Sequence, residues 1–508
     1  MCGVSLACEL ERALGPKGRV LLLEANAELG GRTRVRDSVD LGAHYLGEKH
    51  RRALALAKRL CPDDLFERSS VFGPDPASRA FIEGKFKVTP RSRTFFDLQG
   101  LEKDGPLYDR LAIMHSMAGY LVLESLVNVE EPWKTPFAAS LDKRTYAEWI
   151  EGQTVPAWIK DMWGLAALGM LSARTRELSF LYWLWYQAAN AGMLFTGSDY
   201  KGGAQEFSLR CGLGGLLKKL AAELKHTVVR LEAPVARVEH GTHGVVRVTQ
   251  RSGVTETARR VVIAATPKAV HQHVTFEPAL SPARARLHAQ RMGHAAKAML
   301  SYETPFWHQS FGHHIMSYSG GPRAEGMEWG LDTTDPKTGA AQLMFFVAPK
   351  VFEKLGPNPD KAAIERAVID AAVEMTGEPA AGKPTRVDVQ IWEHEEFIPG
   401  GPNTVMEPGV LSTLAGVLGQ PEGRLHFASS EQTFEFPGYV EGALSSAERT
   451  AGQVVRALET EDGLVPIQKP VPLEPLRRGN ALLYLVGGAL GYVLLAPVVW
   501  LLGLFRRR

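Results

Sequence analysis

Cysteine is scarce in these 508 residues. The four, Cys2, Cys8, Cys61 and Cys211, are scattered along the chain and form no Cys-x-x-Cys pair. That spacing argues against a disulfide framework and against a zinc site, and it suits a reducing compartment. Excess charge is missing too. A formal net charge of +2 gives no electrostatic case for a nucleic-acid partner or an acidic substrate. The N-terminus has no basic region followed by an apolar one, so no secretory leader is expected. What remains has ordinary globular proportions, 45% hydrophobic and 22% charged, and a length that predicts two or three domains with ample core.

One long apolar run is present. Ala481 to Phe505 carries no charge and is bracketed by Arg477 and Arg478 on one side and Arg506, Arg507 and Arg508 on the other. A helix needs about 20 apolar residues to cross a bilayer core. Gly487, Gly488, Gly491 and Pro497 weaken a soluble helix but are common in membrane ones. The expectation is a single-pass C-terminal anchor with the large domain in the cytosol. Pro466, Pro470, Pro472 and Pro475 mark residues 456–480 as an extended linker leading to it.

The most informative stretch is residues 19–47. Leu21 to Leu23 is an apolar run long enough for a buried strand, and Glu24 ends it. A carboxylate there is placed to accept hydrogen bonds from the ribose hydroxyls of a dinucleotide. Gly30 and Gly31 let the backbone approach a pyrophosphate without a Cβ in the way. Arg32 supplies fork-shaped donors to phosphate oxygens. Val39-Asp40-Leu41-Gly42 then enters a second glycine turn. Gly3 stands 21 residues before Glu24 and matches the third glycine of a G-x-G-x-x-G fingerprint, with Leu6, Leu10 and Ala13 on one face of the helix that follows. The first strand and the first two glycines of that fingerprint would lie before Met1. Either the chain is shortened or it has lost the pyrophosphate turn. Without that strand and its phosphate cradle, dinucleotide binding is expected to be weak or absent.

Further along, Arg51 to Leu60 reads as a helix. From about residue 85 helices with large aromatics predominate, and Leu178 to Tyr186 is an aromatic-rich helix, most of it plain core. From Thr227 the period switches to two, and 228–229, 234–238, 245–248 and 260–264 read as strands of a meander.

The order Leu-Glu-Ala, Gly-Gly-Arg-Thr, Val-Asp-Leu-Gly resembles the flavin amine oxidase superfamily, and the likeness extends through most of the chain. Gly202-Gly203-Ala204-Gln205-Glu206 resembles the family's Gly-Gly-x-Gln-Glu turn, whose glutamine lines the substrate pocket. The proline and valine at 234–235 match a turn that meets the adenine through the valine, here Val235. Lys297, followed by Pro305-Phe306-Trp307, is similar in context to the monoamine oxidase lysine that holds a water beside flavin N5. A cation there can stabilise negative charge as oxygen is reduced. Trp392 to Glu448 resembles the second signature, with Arg424-Leu425-His426-Phe427-Ala428-Ser429-Ser430-Glu431 and then Gly438-Tyr439-Val440-Glu441-Gly442-Ala443. It aims a helix N-terminus at the flavin and stands Tyr439 over the ring.

Two departures matter. Ser429 replaces a family glycine. Pro402 falls where animal monoamine oxidases attach the flavin covalently, with Asn403 in place of the second aromatic of the slot, for which Phe397, Phe434 and Phe436 are the candidate substitutes.

The resemblance implies an α/β fold, with a Rossmann-like FAD domain interleaved with an α+β substrate domain. The FAD domain takes residues 1–85, 211–290 and 391–455; the substrate domain takes 86–210 and 291–390. It implies non-covalent FAD held by Gly3, Glu24, Gly30, Gly31, Arg32, Gly42, Val235, Glu431, Gly438, Tyr439 and Val440. The reacting centre falls to Lys297 and Tyr439, and the substrate pocket to Gln205, Trp392, Asn403 and Tyr439. Expected partners are a small amine, O2 and a membrane, with no nucleic acid and a homodimer left open. The implied reaction oxidises an amine to an imine and returns O2 as H2O2. An FAD desaturase or protoporphyrinogen-type oxidase, and an anchored flavoprotein relic without activity, stand as rivals.

Overall fold

The computed structural model describes residues 1–462 apart from 38, 69–76, 83–84, 91–106, 199–200, 242–243, 295, 311–314, 320–328, 336, 348 and 357–358, together with 493 and 495–497. Chain order on the dinucleotide side runs α1 (Cys2–Leu14), β1 (Leu21–Leu23), α2 (Arg51–Leu60), α3 (Gly212–Ala221), β2 (Val228–Arg230), β3 (Val261–Ile263), β4 (Leu425–Phe427) and α4 (Val440–Asp462). Helix α1 lies between two others. Cys2, Leu6 and Leu10 pack against Ala443, Ala447, Ala451 and Val455 of α4. Those four recur every fourth residue on one side of α4, and the small alanines let the helices approach closely. On its other side Val4 meets Leu217 and Leu220 of α3.

Beneath α1 stand two parallel strand pairs, β1 with β2 (Leu21↔Val228) and β3 with β4 (Val261↔Leu425). A Cβ placed on Gly3 would lie 3.5 Å from Leu22 and 3.6 Å from Ala264, so the start of α1 touches both pairs. The expected meander is therefore corrected at its ends. Its core is a sheet in the order Thr255–Ala258, Val246–Gln250, Val235–Glu239, Thr275–Glu277, while Val228–Arg230 and Val261–Ile263 leave it for the parallel pairs. Alternation marks a strand but does not name its neighbour.

The other half is a seven-stranded sheet, in the order Arg386–Ile391, Ala296–Tyr302, Ala341–Val347, Trp329–Asp332, Ile315–Ser319, Ala77–Ile82, Lys85–Pro90. Helix Lys361–Thr376 packs Ile364, Val368 and Ala372 onto it. A helical cluster around Trp163, Trp183, Tyr146 and Phe180 completes this side. The aromatic helix runs from Phe180 to Ala189, begun by Ser179 Oγ accepting from the Tyr182 amide at 3.2 Å.

Fully buried Arg284 ties helix Pro282–Ala289 to β4. It donates to Glu422 Oε1 (3.2 Å), Gln432 Oε1 (3.1 Å) and the Gln420 carbonyl (2.6 Å), with its guanidinium 4.0 Å from the Phe427 ring centre.

Among the described residues no helix is long and apolar enough to cross a membrane. The candidate span 481–505 lies outside them except at 493 and 495–497, which are helical.

Candidate active site

A single cavity of about 1610 Å³ runs from the β1–β3 seam to the helical cluster. It is lined by Gly3, Glu24, Gly30, Gly31, Arg32, Gly42, Val235, Gln205, Lys297, Trp392, Gly438, Tyr439 and Val440. Residues singled out from the sequence, spread over more than four hundred positions, thus share one wall.

At one end Glu24 follows β1, its amide held by the Arg230 carbonyl at 2.9 Å. Its Oε1 accepts from Asn26 N (2.9 Å) and Asn26 Nδ2 (3.0 Å), which fixes the carboxylate at the strand end. The Ala233 amide donates to the Glu24 carbonyl at 2.8 Å, which brings Val235 to the same end. Arg32 is clamped rather than free. Its Nη1 meets Glu431 Oε1 and the Pro402 carbonyl, both at 2.5 Å, and Nη2 donates to Ser430 Oγ at 3.2 Å. Gly31 adopts φ of 56°, a left-handed turn. At Gly42 a Cβ would fall 2.0 Å from the Arg32 carbonyl oxygen and 3.1 Å from Trp392, so no other residue fits there.

Lys297 lies deeper, on the strand Ala296–Tyr302 and 2% exposed. Its Nζ donates to the Gly42 carbonyl (3.1 Å) and lies 3.4 Å from His44 Nδ1. Burial lowers its proton affinity, and the charge of Asp40 offsets that. Asp40 Oδ2 lies 3.5 Å from the same His44 nitrogen, and Oδ1 accepts from the Leu213 amide (3.0 Å) at the start of α3. His44 titrates well below its ordinary range because of burial and the nearby charges of Lys297 and Arg68. It is the neutral member of a Lys–His–Asp group.

Toward the helical cluster Tyr439 lines the cavity together with Tyr186, and burial pushes the Tyr439 phenol up to about 12. Gln205 Nε2 donates to the Thr196 carbonyl at 3.0 Å. Its buried Oε1 has no hydrogen-bond partner among the described residues. Trp392 packs on Gly42 and carries the Arg34 guanidinium 5.4 Å from its ring centre.

Two expected residues stand back from the wall. Glu431 reaches it only through Arg32. Asn403, 1% exposed, lies behind Gly438, accepting from the Thr404 amide (2.8 Å) and donating to the Tyr182 hydroxyl (3.4 Å). Of the substitutes for the missing aromatic, Phe397 lines the cavity, in contact with the His273 ring, while Phe434 and Phe436 do not line it.

Three contributors carry no signal of their role in the sequence. Asp40 is one polar residue inside the Val-Asp-Leu-Gly string. Tyr186 reads as core of the aromatic helix. Glu441 of the Gly-Tyr-x-Glu-Gly run turns away from the cavity and accepts from the Arg52 (3.2 Å) and Ala53 (2.9 Å) amides, capping α2.

The sequence profile of the flavin containing amine oxidoreductase family matches residues 1–455. The chain belongs to that family. It is 27% identical over 462 residues to the flavin-containing amine oxidase B of Sus scrofa, covering 86% of this chain and 82% of the relative. The human amine oxidase B is 26% identical over 478 residues, covering 90% and 86%. Among solved structures, cyclohexylamine oxidase from Brevibacterium oxydans superposes with a TM-score of 0.79 at 26% identity, over 90% of this chain and 97% of that one. Putrescine oxidase superposes with a TM-score of 0.76 at 20% identity, a likeness of fold.

The protein is a flavin-dependent oxidoreductase acting on amines, and FAD is its cofactor. The residues present fit that group: a carboxylate at a strand end, a glycine turn no Cβ could replace, and a buried lysine, all along one cavity.

Proposed function

We propose that the protein converts an apolar monoamine, primary or secondary, to an imine that water hydrolyses, and that O2 is returned as H2O2. The observation that carries the reading is the shared wall on which Glu24, Lys297 and Tyr439 lie. When bound, FAD supplies the hydride acceptor and the route to oxygen. Glu24 grips the ribose, Arg32 stays locked to Glu431 and steadies the glycine turn, and Lys297 provides a desolvated positive charge where oxygen is reduced. Pro402 offers no thiol, so attachment is non-covalent.

The substrate class follows from the lining. Its only acidic side chains among the described residues are Glu24 and Glu256, both on the strand-rich side. Around Tyr439, Tyr186, Gln205, Met170 and Ala166 no carboxylate among the described residues lines the cavity to hold a second ammonium group. An amine arriving neutral can lie with its body against Tyr439 and Tyr186, beside Gln205.

The reading divides the chain into an FAD domain (1–85, 211–290, 391–455) and a substrate domain (86–210, 291–390), with 481–505 seated in a membrane. The test is release of peroxide and of the carbonyl product (an aldehyde from benzylamine or putrescine, a ketone from cyclohexylamine) by the FAD-loaded protein. Equimolar peroxide and carbonyl product from the two monoamines, and little from the diamine, is the expected result. No anaerobic bleaching of the flavin by any amine would overturn it.

A further inference from the structure

Cys61, Asp64 and Cys211 converge outside the cavity. Cys61 closes α2, its amide donating to the Ala57 carbonyl at 2.8 Å. Asp64 follows in a turn whose amide returns to the Cys61 carbonyl at 3.1 Å. Cys211 stands immediately before α3, and Arg210 beside it donates its amide to the Asp64 carbonyl at 2.9 Å. The two sulfurs, 150 residues apart in sequence, lie 3.5 Å apart. One ligand atom from each of the three residues lies within 4.8 Å of the others. None of the three lines the flavin cavity.

We propose that Cys61, Asp64 and Cys211 bind one thiophilic divalent cation of the zinc class, clamping α2 to α3.

The geometry supports a metal over a covalent sulfur bridge. Zinc–sulfur bonds of about 2.3 Å and zinc–oxygen bonds of about 2.0–2.2 Å set the edges of a tetrahedral site at roughly 3.5–3.8 Å. The observed sulfur separation already has that length, and the carboxylate need close by only about 1 Å. A disulfide would require the sulfurs to approach to about 2.05 Å.

Charge supports it as well. Lys219 Nζ lies 3.3 Å from Asp64 Oδ2. Two thiolates and a carboxylate, set against a dication and this ammonium, sum to zero. Binding releases two protons to solvent and oxidises nothing, and water takes the fourth position. Cys61 is buried, while Cys211 and Asp64 are half-buried and leave a way in. The scattered spacing that argued against a metal site in the sequence is overcome by the fold, which supplies the pairing.

The FAD-loaded full chain, reduced and freed of metal, is incubated with Cd2+ and passed through a desalting column. One Cd2+ retained per chain is expected, with an ultraviolet thiolate-to-metal charge-transfer band, displacement by Zn2+ and release by chelator. Cys211→Ser should weaken retention roughly a hundredfold and Asp64→Asn roughly tenfold, while Cys8→Ser leaves it unchanged. These variants sit at half-buried positions, so folding does not depend on replacing buried Cys61. Retention equal in Cys211→Ser and the parent overturns the proposal. So does a denatured thiol count of two rather than four that only a reductant restores, because that identifies a disulfide.

Discussion

Replacing Asp40 with asparagine tests the electrostatic heart of the site without dismantling it. The amide side chain would retain an oxygen to accept from the Leu213 amide, now bonded at 3.0 Å, so the start of α3 keeps its cap. What disappears is a charge. Lys297 Nζ and Asp40 Oδ2 approach the same atom, His44 Nδ1, at 3.4 and 3.5 Å, so they are at most about 7 Å apart. At an effective dielectric of about 20 their attraction is at least about 2.4 kcal/mol, roughly fifty-fold in the proton affinity of Lys297. Burial has already lowered that affinity, and Asp40 is the charge that offsets it.

The sign follows. Lysine is charged below its pKa and loses that charge as pH rises, so the oxygen-dependent rate, kcat/KM for O2, should fall on the alkaline side. In Asp40→Asn that falling limb should move about 1.7 pH units lower. His44 adds no competing charge, since burial and its cationic neighbours keep it neutral. A limb that stays in place in Asp40→Asn, or that survives in Lys297→Met, would refute the assignment of the titrating group.

Glu24→Ala removes the charged acceptor at the strand end, and FAD affinity should fall roughly 10- to 150-fold, about 1.5–3 kcal/mol, read by flavin fluorescence titration. Gln205→Leu removes a polar side chain that lines the cavity beside Tyr439 and Tyr186. KM for the best monoamine should rise about fivefold, near 1 kcal/mol, with FAD binding unchanged; an unaltered KM would remove Gln205 from the pocket. Arg284→Met leaves Glu422 and Gln432 without their buried donor and should destabilise by about 3–5 kcal/mol, measured by urea unfolding. A loss below about 1 kcal/mol would mean that solvent replaces it.

What the sequence makes legible is local. Arg51–Leu60 is readable as a helix with its bounds because Ala53, Leu54 and Ala57 repeat on one face. Lys297 emerges only through its family context, since a lysine between alanines otherwise reads as surface. The roles of Asp40 and Glu441 are hidden because each caps a distant helix, Asp40 reaching Leu213 173 residues on and Glu441 reaching back 388 residues to Ala53. Capping by a neighbour in space leaves no mark on local spacing. Tyr186 illustrates another blind spot: on a helix buried all round, apolar periodicity does not separate the residue facing a cavity from those facing core. The meander is over-extended for a related reason, since β1–β2 and β3–β4 pair in parallel across long stretches of chain.

The packing of α1 on α4 sets a schedule for biosynthesis. Leu6 and Leu10 leave the ribosome well before the alanine ridge that covers them, which belongs to α4. At about 5–20 residues per second, the roughly 440 residues in between take on the order of half a minute to a minute and a half to synthesise. Throughout that interval the nascent chain carries an uncovered greasy face, a standing substrate for chaperones, and growth conditions that deplete holdases should lower the soluble yield before they touch the activity of the protein that escapes.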